Sequence, residues 1–241
     1  MTTRTRSIVL SCAAALACAA PAVARGSAAD AFENKVKPVS GQLNTKAGKL
    51  ELTLPTAQIS MMDAFFSKFM AGAKLAYHLN EYWSVGATGV YGLSNSATGS
   101  TNVCKGNVGC QPASPEQLYQ VPGFIKWIAG AELAFSPIYG KLNLFAEKAI
   151  HFDLSLLAGA DLVTYRDVID ATQAAAGVTP GDTRTVGGHI GLGSRIFLGR
   201  MVALRLELRD VVYSVSALPT GKLQSQLFAE AGLSFFFGGG R

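Results

Sequence analysis

The chain has 241 residues, 49% of them apolar, and a formal charge of only +5. A charge this small is too modest to imply a nucleic-acid partner. Beyond residue 24 the apolar residues fall in short segments, none near the ~20 uncharged residues that a spanning helix needs. Two classes remain, a secreted soluble β protein and a membrane β-barrel.

Residues 1–24 read as an export signal. Arg4 and Arg6 precede an apolar run from Ile8 to Ala20, and Ala22-Val23-Ala24 supplies small residues for cleavage. Ser27-Ala28-Ala29 is a second cleavage candidate. Cleavage after Ala24 removes two arginines and no acid, lowering the formal charge from +5 to +3. Cys12 and Cys18 leave with the signal, so Cys104 and Cys110 remain, six apart in a loop rich in Gly and Asn. An exported pair at that spacing favours a local disulfide over a metal site, which wants more ligands than two thiolates. Residues 25–48 have no clear period and read as a periplasmic lead-in.

Period two governs the rest, because successive strand side chains point to opposite faces. The first segment, about 49–60, carries Leu50, Leu52 and Leu54; Pro55 cannot donate to a ladder and implies a bulge or early break. Segment 69–79 sets Phe69, Ala71, Ala73, Leu75 and Tyr77 against Gly72, Lys74 and His78. Segment 83–93 sets Trp83, Val85, Ala87, Tyr91 and Leu93 against Ser84, Gly86 and Thr88. Segment 125–135 sets Ile125, Trp127, Leu133 and Phe135 against Lys126, Gly130 and Glu132. Segment 151–163 sets Phe152, Leu154, Leu156 and Leu162 against His151, Asp153, Ser155 and Asp161. Segment 187–198 opposes Ile190, Leu192 and Ile196 to His189 and Arg195; segment 201–213 opposes Leu204, Leu206 and Leu208 to Arg205, Glu207 and Arg209. The last, 227–237, opposes Leu233, Phe235 and Phe237 to Glu230, Gly232 and Ser234. With the first segment the count is eight, the even number that closure of a single-chain barrel expects.

The polar face is made of Gly, Ser and a few charges, not of the Lys/Glu-rich stretches that solvate an exterior. Aromatics stand toward the ends of the apolar face: Tyr77, Trp83, Phe135, Phe152, Phe235 and Phe237 at one rim, and Phe69, Tyr91 and Trp127 at the other. Two aromatic girdles around an aliphatic belt fit a bilayer better than a dry core. Connections alternate between tight turns, at Asn80-Glu81 and Gly199-Arg200, and long loops over 94–122, 166–182 and 214–225. The connection 136–150 departs from this by being long on the short side, with room for an extra strand pair or a helical turn. The fold class is therefore all-β, an eight-stranded antiparallel up-and-down transmembrane β-barrel over 49–237, with 238–241 as an overhang.

With apolar faces toward lipid, the interior would hold Lys74, His78, Lys126, Glu132, His151, Asp153, Asp161, His189, Arg195, Arg205, Glu207, Arg209 and Glu230. An eight-stranded interior is just wide enough to be filled by side chains, which argues against a diffusive pore. Both signs are present, so the charges are expected to pair. His151, Asp153 and Ser155 share a face, the one arrangement that invites a hydrolase reading. Alternate residues of one strand lie about 7 Å apart, however, too far for a Ser–His hydrogen bond. His78 and His189 show no short metal-ligand spacing. Gly187-Gly188 and Gly191-x-Gly193 lie within a strand, unlike a phosphate loop.

The tail Glu230-x-Gly232-x-x-Phe235-x-Phe237 resembles the last-strand signal by which the barrel-assembly machinery recognises outer-membrane barrels. More broadly the chain is similar to the outer-membrane β-barrel domain family common in myxobacteria, small OmpA-like barrels. The resemblance is carried by Asp63-Ala64-Phe65-Phe66, Ala76-Tyr77-His78-Leu79, Tyr139-Gly140-Lys141-Leu142, His151-Phe152, Gly191-Leu192-Gly193 with Arg195-Ile196-Phe197-Leu198, and Leu206 to Asp210. It implies fold and address, the outer membrane of a Gram-negative bacterium, and no agreed activity. Gly238 to Arg241 depart from the pattern by following the terminal aromatic.

The expected function is a structural or surface-interaction role in the envelope, without catalysis, metal or cofactor. Expected partners are outer-membrane lipid and lipopolysaccharide, the assembly machinery and other envelope proteins. A lipid-modifying hydrolase on the same barrel and a narrow channel are the alternatives. The loop 94–122, stapled by Cys104 and Cys110, is the better place for a ligand.

Overall fold

A strand that is apolar on one face and polar on the other, repeated eight times, still exposes two edges unless the sheet closes. Here it closes. The computed structural model describes residues 44–106, 109–144, 148–215 and 222–238. The barrel wall consists of β1 (Leu50–Ser60), β2 (Phe66–His78), β3 (Trp83–Ala97), β6 (Ile125–Leu144), β7 (Lys148–Arg166), β8 (Asp182–Phe197), β9 (Val202–Val215) and β10 (Lys222–Phe237). Wall strands consecutive in sequence pair antiparallel, and β1 pairs with both β2 and β10. The seam runs from Leu50 opposite Phe237 to Ser60 opposite Phe228. Every wall strand thus has two neighbours. The signal segment 1–24, most of the lead-in and residues 239–241 lie outside the described residues.

Local chemistry explains the turns. Asn80 Oδ1 accepts from the backbone N–H of both Tyr82 and Trp83 at 2.8 Å, so its side chain takes the place of a ladder partner and reverses the chain. Asp63 does the same at the opposite end, where Oδ1 accepts from Phe65 N–H at 2.7 Å and Phe66 N–H at 3.0 Å. Pro55 lies where the pairing of β1 shifts between Thr53 and Thr56, a bulge rather than a break. Pro137 has the same role in β6, where pairing with β7 shifts between Phe135 and Ile138.

The strands run further than period two indicates. β6 and β7 stay paired from the wall out to Leu144 opposite Lys148, so most of the connection 136–150 is an extension of this one hairpin past the short-turn rim. The extra strand pair expected there is thus these two strands prolonged. At the other end, the loop 94–122 is partly structured. A 3-10 turn (Gly99–Thr101), a small hairpin of β4 (Val103–Lys105) and β5 (Gly109–Gln111), and helix α1 (Pro115–Leu118) follow in order. Cys104 and Cys110 face each other across that hairpin and are joined by a disulfide. Helix α2 (Ala171–Ala175) sits in the loop between β7 and β8.

The side chains are arranged inside out relative to a water-soluble domain. Leu192 is 59% exposed, and Leu75, Val85, Leu133, Leu156, Leu162, Ile190, Leu206 and Leu208 are also exposed. Arg195, Arg205 and Arg209 are among the largest fully buried side chains. An exposed apolar belt with buried arginines is the informative pattern, since scattered exposed leucines alone would mean little.

Candidate functional site

The lumen is layered. Nearest the short turns, Phe197, Ala203 and Phe236 are buried together with Tyr139 packed against them, and the His78 ring lies 5.8 Å from that of Phe236. Above this aromatic floor stands an ionic stack. Glu51 of β1 accepts from Arg195 Nε at 3.1 Å and Arg205 Nη1 at 3.1 Å, from the Ser234 hydroxyl at 2.7 Å, and lies 2.8 Å from His78 Nε2. Arg195 also reaches Asp153. Glu132 takes Arg205 at 2.8 Å and Arg209 at 2.7 Å. Glu207 is paired with Lys74, Arg205 and Arg209. Lys74 further faces Glu132 and Glu230, each at 3.3 Å. Gln58 donates to Glu230 at 2.6 Å. Asp161 lies 2.6 Å from His189 Nδ1. Gly159 makes room for that imidazole, because a Cβ there would come within 2.8 Å of Nε2.

Lys74, Glu132, Asp153, Asp161, Arg195, Arg205, Glu207, Arg209 and Glu230 therefore meet in one buried stack with His78 and His189. Of the residues expected inside, Lys126 stands elsewhere. An extra residue in β6 between Ile125 and Trp127 reverses the alternation at the loop end: Ile125 is buried in the lumen, and Lys126 points outward, 41% exposed, 2.6 Å from Asp182. His151 keeps the inward face, opposite buried Phe197, but at the rim it is only half-buried and stacks on Tyr139 rather than joining the ionic stack.

Glu51 is not among the interior residues expected from the sequence, although Leu50, Leu52 and Leu54 imply that it faces the other way. Nor is Lys46 among them. It precedes β1, yet its Nζ enters the lumen and meets Asp153 at 2.5 Å, while the N–H of Lys46 and Ala47 donate to Glu81. Burial pulls the Lys46 ammonium below the usual lysine range, and Asp153 offsets part of that effect. Residues 44–48 of the lead-in thus close the short-turn mouth. His151, Asp153 and Ser155 form no triad: Asp153 is engaged by Lys46 and Arg195, and His151 by Tyr139. Among the described residues no group of three His, Cys, Asp or Glu is placed to hold a metal.

On the loop side of the ionic stack the lumen turns apolar. Met70, Val90, Ile125, Ile128, Val163, Val211, Val215 and Phe228 pack with Tyr165 and Tyr213 into one buried cluster. Above it, Lys68 is bound by both Asp63 and Gln226. Burial favours the neutral Asp63 acid, but Lys68 and the two backbone N–H groups outweigh it and hold the carboxyl below its ordinary range. A lumen layered with buried ion pairs and then with buried apolar side chains is the arrangement expected of a barrel that does not conduct. Planar-bilayer recordings of purified, folded protein are therefore expected to show no conductance steps; regular steps would refute the filled lumen.

No protein-family model matches the chain, and no curated protein does. Solved structures that resemble it are small barrels. The N-terminal β-barrel domain of Pseudomonas aeruginosa OprF has 10% identity over 79% of this chain and 98% of that one, with a TM-score of 0.47. The outer membrane protein OprG of the same species has 17% identity over 80% and 98%, with a TM-score of 0.47. Ail, the attachment invasion locus protein of Yersinia pestis, has 13% identity over 78% and 99%, with a TM-score of 0.35. The assignment of the fold rests on the closed strand pairing described above.

Proposed function

We propose that this chain is an outer-membrane β-barrel protein of a Gram-negative envelope, of the small kind common in myxobacteria, with a filled lumen and a structural or surface-interaction role. The observation that carries this reading is the inversion of polarity: leucine, isoleucine and valine outward, paired arginine and glutamate inward. In water such an exterior would be a standing aggregation hazard. In a bilayer it is the required one, because closure satisfies all backbone hydrogen bonds and the belt meets lipid. About ten residues of a tilted strand span the ~25 Å apolar band of such barrels. The outward aromatics support it, with Tyr77, Trp83 and Phe237 at the short-turn rim and Phe69 and Tyr91 at the other.

By this reading residues 1–24 direct export, the short turns face the periplasm and the loops face outward. Lipopolysaccharide surrounds the outer half of the belt. The assembly machinery reads β10, where Glu230 and Gly232 face the lumen and Phe235 and Phe237 face out beside β1. The role needs neither catalysis nor cofactor.

The test is fractionation of native envelopes combined with electrophoresis of boiled and unboiled detergent samples. Recovery in the outer-membrane fraction, with a mobility shift on boiling, is expected. Recovery in the soluble periplasm would overturn the proposal.

A further inference from the structure

The loop between β3 and β6 encloses a cleft of about 460 Å³ beside the 3-10 turn, the disulfide hairpin and α1. Its polar lining is Ser100, Thr101, Asn102, Gln117 and Gln120, with Phe65 as its aromatic surface. None of its ten lining residues, all among the described ones, is charged. Its volume falls in the range of small-molecule sites, ~300–1,000 Å³.

The walls are fixed in advance. The disulfide ties β4 to β5. Ser114 and Gln117 cap α1 reciprocally, Ser114 N–H donating to Gln117 Oε1 at 2.9 Å. Arg166, at the end of β7, donates to the carbonyl of Leu118 at 2.9 Å and lays its guanidinium 4.2 Å from the Phe124 ring centroid and 5.0 Å from that of Tyr119. Ile169 N–H donates to the Tyr119 carbonyl at 3.2 Å. On the opposite wall, Thr98 donates through its N–H to Phe65 O at 2.9 Å and through its hydroxyl to Ala64 O at 2.6 Å. A cleft held to the barrel from both sides loses little freedom when it binds.

We propose that this cleft binds a neutral saccharide. Amides and hydroxyls each offer donor and acceptor together, which is what a sugar hydroxyl needs. The side chains of Ser100 and Asn102 make no hydrogen bond to the described residues and remain available to a ligand. Phe65 supplies a flat apolar surface for the C–H face of a pyranose ring. An anionic ligand would enter a lining with no cation to pair with it, and a lipid chain would bury amides without partners. The inference rests on the outer-membrane reading only for the side of the membrane on which the saccharide is met.

The test uses the full chain folded in a zwitterionic detergent without a sugar head group. Saturation-transfer NMR is run with maltose, lactose, cellobiose and diacetylchitobiose at millimolar concentration, beside a sulfated heparin disaccharide. Transfer to the C–H protons of at least one neutral sugar, and none to the sulfated one, is expected. Phe65→Ala, Asn102→Ala and Gln120→Ala should each weaken it about threefold to tenfold, the loss of roughly one contact. Retention of the boiling shift on gels verifies that each variant is folded. No transfer from any neutral sugar, stronger transfer to the sulfated one, or transfer unchanged in all three variants would overturn the site. None of these results would touch the barrel itself, which the gel shift tests separately.

Discussion

Replacing Glu51 with alanine is expected to cost about 3–5 kcal/mol of unfolding free energy, the scale for breaking a buried ion pair from one side. Glu51 faces Arg195, Arg205, His78 and Ser234 at once, and none of these partners can turn to water. Its loss leaves Arg195 with Asp153 as its carboxylate partner and Arg205 with Glu132 and Glu207, and takes from the buried stack the one carboxylate that those two guanidinium groups share with His78. Lys126→Ala is the control, because the Lys126–Asp182 pair is on the surface and should be worth about 1 kcal/mol or less. Urea unfolding in detergent, followed by tryptophan fluorescence, measures both. A Glu51→Ala loss no larger than that of Lys126→Ala would mean that water reaches the stack.

The second large effect lies on the opposite face. Leu192→Arg is expected to destabilise the membrane-inserted protein by about 2–4 kcal/mol, the cost of an arginine on the lipid face at mid-membrane. Leu192 sits mid-wall, opposite Leu156 of β7 and Leu208 of β9. In a water-soluble barrel the same change would replace an exposed leucine with a solvated charge, and stability would stay within about 0.5 kcal/mol. Reversible unfolding from lipid vesicles distinguishes the two, and a near-neutral result there would count against the lipid-facing belt.

These two residues also mark what was legible in the sequence. Leu192 is readable because Ile190, Leu192 and Ile196 share one face against His189 and Arg195, with only Ser194 interrupting, and period two is a local signal. Glu51 was readable by the same rule, once Leu50 and Leu52 are assigned outward. Its importance was not, since its partners lie 144 and 154 residues away. Lys46 lay beyond any rule of period, in a segment without alternation, and only the closed barrel brings it to Asp153. Lys126 departs from its expected inward place because a single bulged residue reverses parity for everything beyond it.

The apolar layer of the lumen left a trace that alternation conceals. Toward the loop end both faces become apolar, as in Leu162-Val163, Val211-Val212 and Leu227-Phe228. One member of each pair meets the belt and the other the lumen cluster. Runs of this kind mark strands with two apolar faces, and here the two sides are the exposed apolar belt and the packed interior. The cleft beside the disulfide was not legible in detail, because it depends on Arg166 reaching from β7 to the carbonyl of Leu118 in a loop 48 residues earlier.

On the membrane reading, one face of each strand meets hydrocarbon and the other a filled lumen. Site-directed spin labelling of the protein in lipid vesicles tests it most directly. Single cysteines at Leu204, Leu206, Leu208 and Val212 would carry outward labels, and those at Ala203 and Val211 inward ones. Outward labels should collide freely with oxygen and scarcely with a water-soluble nickel chelate, and inward labels with neither. Outward labels that collide more with the chelate than with oxygen would place this face in water and rule out a lipid-facing belt.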